Sequence, residues 1–260
     1  MGSYNLTLSD IYRLLLMIFR TGAFLMTVPV FGHMTIPRVL RVWIVILLSF
    51  IIFPSTLVVR ITPPATLVQL IIAIFNEIFI GLLMGFAIII VFSAVQYAGQ
   101  LVGMQMGLAI ANVWDPMGAG EISLVGEFYY LLSLILFLTI DGHYYVIDAL
   151  VRCFTIVPVS GGGFHASIGE YLVTLTGMIF VVAIKLSVPV IITLFIMNVI
   201  LGIVARTVPQ MNVFIVGFPL AIGVGFALIA FTLPVFRIIL EKVFLEIQTH
   251  LYTILQMLRS

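Results

Sequence analysis

The sequence predicts an all-α membrane-complex protein of about six long apolar helices and one amphipathic C-terminal helix. Three observations predict it. First, the 260 residues are 63% hydrophobic and only 8% charged, where a soluble domain carries about a quarter charged residues. Second, the apolar residues gather in runs of roughly 20, the length that crosses hydrocarbon as a helix. Third, the breaks between runs are short proline, glycine or charged turns, none long enough to fold alone. The whole chain, 1–260, therefore reads as one membrane unit. A formal net charge of +1 implies neither nucleic acid nor an acidic substrate. Cys153 is the single cysteine, so no internal disulfide can form.

In chain order, Ser9-Asp10 reads as the N-cap of a first apolar helix over 11–28, which carries Arg13 and Arg20. With no basic leader region and no A-x-A site, it reads as a span. Pro29, Gly32 and Pro37 interrupt it, and a second helix over 39–59 stops at Pro54 or at the polar 60–64 stretch. A third, over 67–107, contains Glu77 and the GxxxG pair Gly81 and Gly85, small residues that let another backbone approach. A fourth covers 122–140 and ends at Asp141-Gly142-His143. That triplet reads as a capping turn with Gly142 at positive φ, because no second His or Cys lies at metal-ligand spacing. A short amphipathic piece over 144–157 follows, then a 158–163 loop in which Gly161-Gly162-Gly163 reads as a flexible turn. The fifth helix, 171–201, is interrupted by Pro189; 206–212 is a polar turn; the sixth, 213–233, carries Gly217 and Gly225 on one face. Over 236–259 apolar residues from Phe236 to Leu258 recur at three-four spacing opposite charges, an amphipathic face suited to partner packing or an aqueous boundary.

The least apolar stretch runs over 99–121. Gly99, Gly103 and Gly107 recur every four residues and would form one smooth helical ridge. Gln96, Gln100 and Gln105 add amides that need partners. Asp115-Pro116 is expected to break the helix, with a loose Gly118-Ala119-Gly120 after it. Met104, Met106 and Met117, with Trp114, would supply a deformable apolar seal, and Asn112 lies in the same loop. A tightly packed helix followed by a mobile loop suggests a closure device.

Two charges, Glu77 and Lys185, sit inside apolar runs. Such groups are costly in hydrocarbon and face a cavity or a partner. They read either as an ion relay or as buried structural groups. No HExxH, GxSxG or phosphate-cradling loop is present, so no catalytic residue, metal or cofactor is expected. Orientation is undecided: Arg38 and Arg41 favour one frame, while Arg60, Arg152, Arg237, Lys242 and Arg259 favour the other. Some segments are therefore expected to lie within a protein assembly.

Three stretches together resemble the FliR family of flagellar biosynthetic proteins, of the type III export gate: GMQMGL at 103–108 running into Asp115-Pro116; FLTIDGH at 137–143; and LG at 201–202 through Arg206, PQMNVF at 209–214 and GFPL at 217–220. Pro29, Ile36-Pro37 and Glu77 with Gly81 and Gly85 fit the same family. The resemblance implies helical hairpins assembled above the usual bilayer plane, in one copy, within a ring of FliP and FliQ subunits at the flagellar basal body of the bacterial inner membrane. It implies FlhB around the cytoplasmic side, FlhA nearby, and passage of unfolded rod, hook and filament subunits. It also makes the loop at about 106–121 the plug of the closed pore, with Met104, Met106, Gly107, Asn112, Trp114, Asp115, Pro116, Met117 and Gly118 as gate residues. Arg206, Pro209, Gln210 and Asn212 are expected to form a hairpin turn and subunit contact. The alternative reading is a small secondary transporter using Glu77 and Lys185 at midplane.

Overall fold

The computed structural model describes residues 7–33, 35–56, 61–108, 123–163, 166–208, 210 and 212–259. Helices are α1 Leu8–Thr27, α2 Pro29–Gly32, α3 Arg38–Ile52, α4 Leu67–Gln105, α5 Leu124–Thr139, α6 Gly142–Ile156, α7 Ala166–Thr207 and α8 Val213–Arg259, with a 3-10 turn over Phe53–Thr56. No strand occurs among the described residues. Four stretches are long and apolar enough to cross a membrane: Arg38–Thr56, Leu67–Gln105, Ser167–Thr207 and Ile215–Arg259. The α5–α6 pair would make a fifth. The expected count of six changes for two reasons. Every 18-residue window of α1 holds Asp10, Arg13 and Arg20. And α5, at 16 residues, is long enough only together with α6. Separately, the sixth apolar run and the amphipathic tail are one 47-residue helix, α8, with Pro219 and Pro234 inside it.

The cap of α1 is Thr7, not Ser9. Asp10, three residues on, reaches back to accept from the Thr7 backbone N–H at 3.0 Å and from its hydroxyl at 2.6 Å, the reciprocal half of a capping box. The Thr7 hydroxyl and backbone bonds hold the Asp10 carboxyl below its ordinary range. At the start of α6 the left-handed residue is Asp141 (φ 58), not Gly142; aspartate is among the few side chains that tolerate this region.

The chain divides into two compact units. The first comprises Met1–Ile89, Asp141–Leu175 and Leu245–Ser260. In it α1 buries Leu16, Met17, Phe24 and both arginines. Gly81 and Gly85 of α4 bring that helix onto α1: a β-carbon at Gly81 would lie 2.9 Å from Ala23 Cβ, and one at Gly85 would lie 2.5 Å from Thr27 Cβ. Arg13 donates to the Thr56 carbonyl at 2.8 Å, tying α1 to the turn after α3. The second unit comprises Ile90–Ile140 and Thr176–Phe244. Its core is aromatic: Phe92, Phe137 and Phe244 meet with centroids 5.1–5.5 Å apart, and Tyr129 stacks on Phe236 at 4.9 Å, separations typical of favourable ring pairs. The apolar stripe of the C-terminal segment (Leu240, Ile247, Leu251, Ile254, Leu258) is already buried within the chain, so it is core and not a free partner-binding face.

Candidate functional site

Within the second unit, α4 ends and α5 begins at one place, and glycines explain why. A β-carbon at Gly99 would lie 2.5 Å from Gly126 Cα and 2.6 Å from the Val125 carbonyl oxygen. Real β-carbons do not approach backbone so closely, so Gly99 and Gly126 are what allow the two helices to touch. One turn later, a β-carbon at Gly103 would sit 3.0 Å from Ser123 Oγ. Ser123 is the N-cap of α5, its hydroxyl accepting from the Gly126 N–H at 3.1 Å.

Gly107 does not continue the ridge. It lies beyond the helix with φ 78, in the left-handed region. The Leu108 N–H donates to the Gly103 carbonyl at 3.1 Å and the Gly107 N–H to the Met104 carbonyl at 3.0 Å. These are the paired 6→1 and 5→2 bonds of a Schellman stop with glycine at C′. The helix is therefore ended at Gln105 by Gly107, well before Asp115-Pro116. The signal was present in the sequence, but the four-residue repeat drew Gly107 into the ridge.

The residue at the stop is held from a third side. Met106 is fully buried and lies over Gly225 of α8, its thioether within 2.6–2.8 Å of where a β-carbon would stand. Phe218 covers Gly107, with Cε1 2.8 Å from that glycine's absent β-carbon. Gly225 is thus a packing notch. Gly217 is not, since its nearest neighbour is an ordinary 3.5 Å contact to Leu201. Met104 points outward, 65% exposed. Asn112, Trp114, Asp115, Pro116, Met117 and Gly118 lie outside the described residues.

The first unit contains the other polar cluster. Glu77 is buried, and its partner is Arg20 of α1, Nε to Oε2 at 2.5 Å, both side chains at or below 1% exposure. Arg20 also donates to the Val157 carbonyl at 2.6 Å and the Pro158 carbonyl at 3.3 Å, contacts Cys153 Sγ at 3.4 Å, and lies 4.8 Å from the Phe154 ring centroid. The second oxygen of Glu77 accepts from the Ser160 N–H at 2.8 Å. This ion pair pins the segment after α6 onto α1 and α4. The Gly161–Gly163 turn expected to be flexible is anchored there, also through Gly163 N–H to the Leu258 carbonyl at 3.2 Å. Arg20 was missed as a partner although it too interrupts an apolar run. Its charge, opposite to that of Glu77, marks it as a candidate partner but marks Lys185 equally.

Lys185, grouped with Glu77 as a buried charge, is instead exposed on α7. Of the polar turn, Arg206, Gln210 and Asn212 are exposed. The Asn212 carbonyl accepts from the Ile215 N–H at 3.1 Å, opening α8; Pro209 lies outside the described residues. Among the described residues no group of His, Cys, Asp and Glu could hold a metal ion.

The arrangement is one of close helix packing and anchored turns, and comparison with known proteins shows the family. The model of the family described as bacterial export proteins, family 1, matches residues 11–247. The chain is 34% identical over 247 residues to the flagellar biosynthetic protein FliR of Bacillus subtilis, covering 92% of this chain and 94% of that one. It is 32% identical to the proteins of the same name from Pectobacterium carotovorum, over 93% of this chain and 92% of that one, and from Escherichia coli, over 88% and 87%. The chain belongs to the bacterial export proteins, family 1.

Proposed function

We propose that the chain is one subunit of the flagellar export gate in the bacterial inner membrane. There it forms, with FliP-like and FliQ-like subunits and with FlhB and FlhA nearby, the pore that passes unfolded rod, hook and filament subunits. The loop at 106–121 is its plug. The observation that carries the plug reading is the frame around the loop. Entry is fixed by the Schellman stop at Gly107, exit by the Ser123 N-cap, and the two meet where Gly103 faces Ser123 Oγ. A segment that leaves and returns at one rigid point can change state without disturbing the packing of its supports. The exposed Arg206, Gln210 and Asn212 are proposed as a subunit contact.

The test is deletion of residues 109–120 in the co-expressed complex, followed by ion flux through the reconstituted assembly. The plug reading expects intact assembly and a membrane leaky to ions. Intact assembly with unchanged permeability would sink it.

A further inference from the structure

We propose that the face of α7 around Lys185 docks a helix of another membrane subunit, one that presents a carboxylate to the lysine ammonium. The proposal rests on the chain being a subunit of a hetero-oligomer and names one of its contacts.

Lys185 is exposed on the chain, and no ion pair or hydrogen bond to its side chain is found among the described residues. It stands near the middle of the apolar Ser167–Thr207 stretch, 18 residues from its start (185 − 167) and 22 from its end (207 − 185). At about 1.5 Å per residue those distances are roughly 27 and 33 Å. The nearest charges along α7 are Glu170 and Arg206. The side chains flanking it on the same outer face, Val181, Ile184 and Ile192, are each about half exposed and wholly apolar. A stripe of that composition is removed from water by lipid or by another helix. An ammonium in hydrocarbon is costly, so the stripe with a lysine at its centre favours a helix.

A second feature lies at the same residue. Pro189 follows four positions later and has no N–H to give back to the Lys185 carbonyl. The site thus offers a cation beside a main-chain oxygen freed from the helix ladder. An apolar helix carrying Asp or Glu satisfies the cation while burying the stripe, and desolvation within the contact makes the pair costly to break by removing one side.

The experiment uses the full chain co-expressed with its neighbouring gate subunits in native membranes. Lys185→Met, which keeps size and removes charge, and Lys185→Glu are each expected to lower the co-purified subunit by at least about tenfold, and Lys185→Arg by less than about twofold. A photoreactive residue at Ile184 is expected to form its adduct with a protein helix containing Asp or Glu. Replacing that acid by lysine should restore assembly of Lys185→Glu. Wild-type assembly of Lys185→Met, or adducts with lipid alone, overturns the docking contact while leaving the subunit reading standing. A wild-type chain that co-purifies with no partner overturns both.

Discussion

Glu77→Ala is the substitution whose effect the structure fixes most tightly. Among the described residues Glu77 is the one acid bonded to Arg20, which is 0% exposed, and the other Arg20 acceptors there are the neutral Val157 and Pro158 carbonyls and the Cys153 sulfur. Removing the carboxylate leaves a buried guanidinium uncompensated, at about 3–5 kcal/mol. The Ser160 N–H also loses its acceptor, but it is partly buried and can turn to water, so it adds little. Against a total stability of about 5–15 kcal/mol this is a large fraction. The assay is built in: Cys153, the single cysteine, is buried in the cluster, so its alkylation under native conditions reports opening. When reclosing is faster than labelling, about 3–5 kcal/mol raises the rate by about 10²- to nearly 10⁴-fold, at 1.36 kcal/mol per factor of ten. Replacing the pair together, Arg20→Met/Glu77→Leu, should label more slowly than Glu77→Ala, because no buried charge is then stranded. It should still exceed wild type, since Val157 and Pro158 lose their donor. A Glu77→Ala rate within about threefold of wild type, or a double variant no better than the single, would refute the assignment of the pair as the clamp.

Substitutions at three further glycines test the loop base. Gly99→Ala drives a β-carbon into the Gly126 and Val125 backbone, an overpacking expected to cost about 1–3 kcal/mol. Gly103→Ala meets the Ser123 hydroxyl at 3.0 Å and otherwise only ordinary 3.7 Å contacts with Val125, so it should cost less, and thermal unfolding of the two purified variants should rank them in that order. Gly107→Ala combines a left-handed backbone, about 1–2 kcal/mol, with a clash against Phe218. Gly107→Asn should recover part of the backbone cost, and equal melting temperatures for Gly107→Ala and wild type would remove the Schellman stop from the account.

The sequence made the fold class legible because hydrocarbon sets the run length and charges cannot hide in it. It also marked Gly81, Gly85, Gly99 and Gly103 as close-packing positions, since small residues at four-residue spacing share a helix face. What it hid was conformation at the ends of elements. Gly107 continues the repeat in register and looks like ridge, and only its positive φ separates a stop from a packing residue. Asp141 and Gly142 were likewise exchanged, because glycine is the commoner occupant of the left-handed region. Pairing across the chain was hidden as well. Arg20 and Glu77 are 57 residues apart in sequence, and nothing local distinguishes Arg20 from Lys185 as the partner. Uninterrupted helix through Pro189 and Pro234 was missed because proline stops a helix where water competes for the freed carbonyl, whereas an apolar setting favours local repair of the ladder.

The geometry around Met106 also narrows which part of the proposed plug could move. Residues 103–108 are held three ways: by the two Schellman bonds, by the Gly103–Ser123 approach, and by Met106 lying over Gly225 with no exposed surface. Met106 is enclosed by its own chain, so it belongs to the anchor, and in the proposed plug the seal would be left to side chains after Leu108. Met104, on the same stretch, is exposed. The glycine ridge and the proposed closure function would thus be separate properties of adjacent residues. Close packing at Gly99 and Gly103 makes the base stiff, and a stiff base is what would allow the segment beyond it to switch while the helices that carry it stay in place.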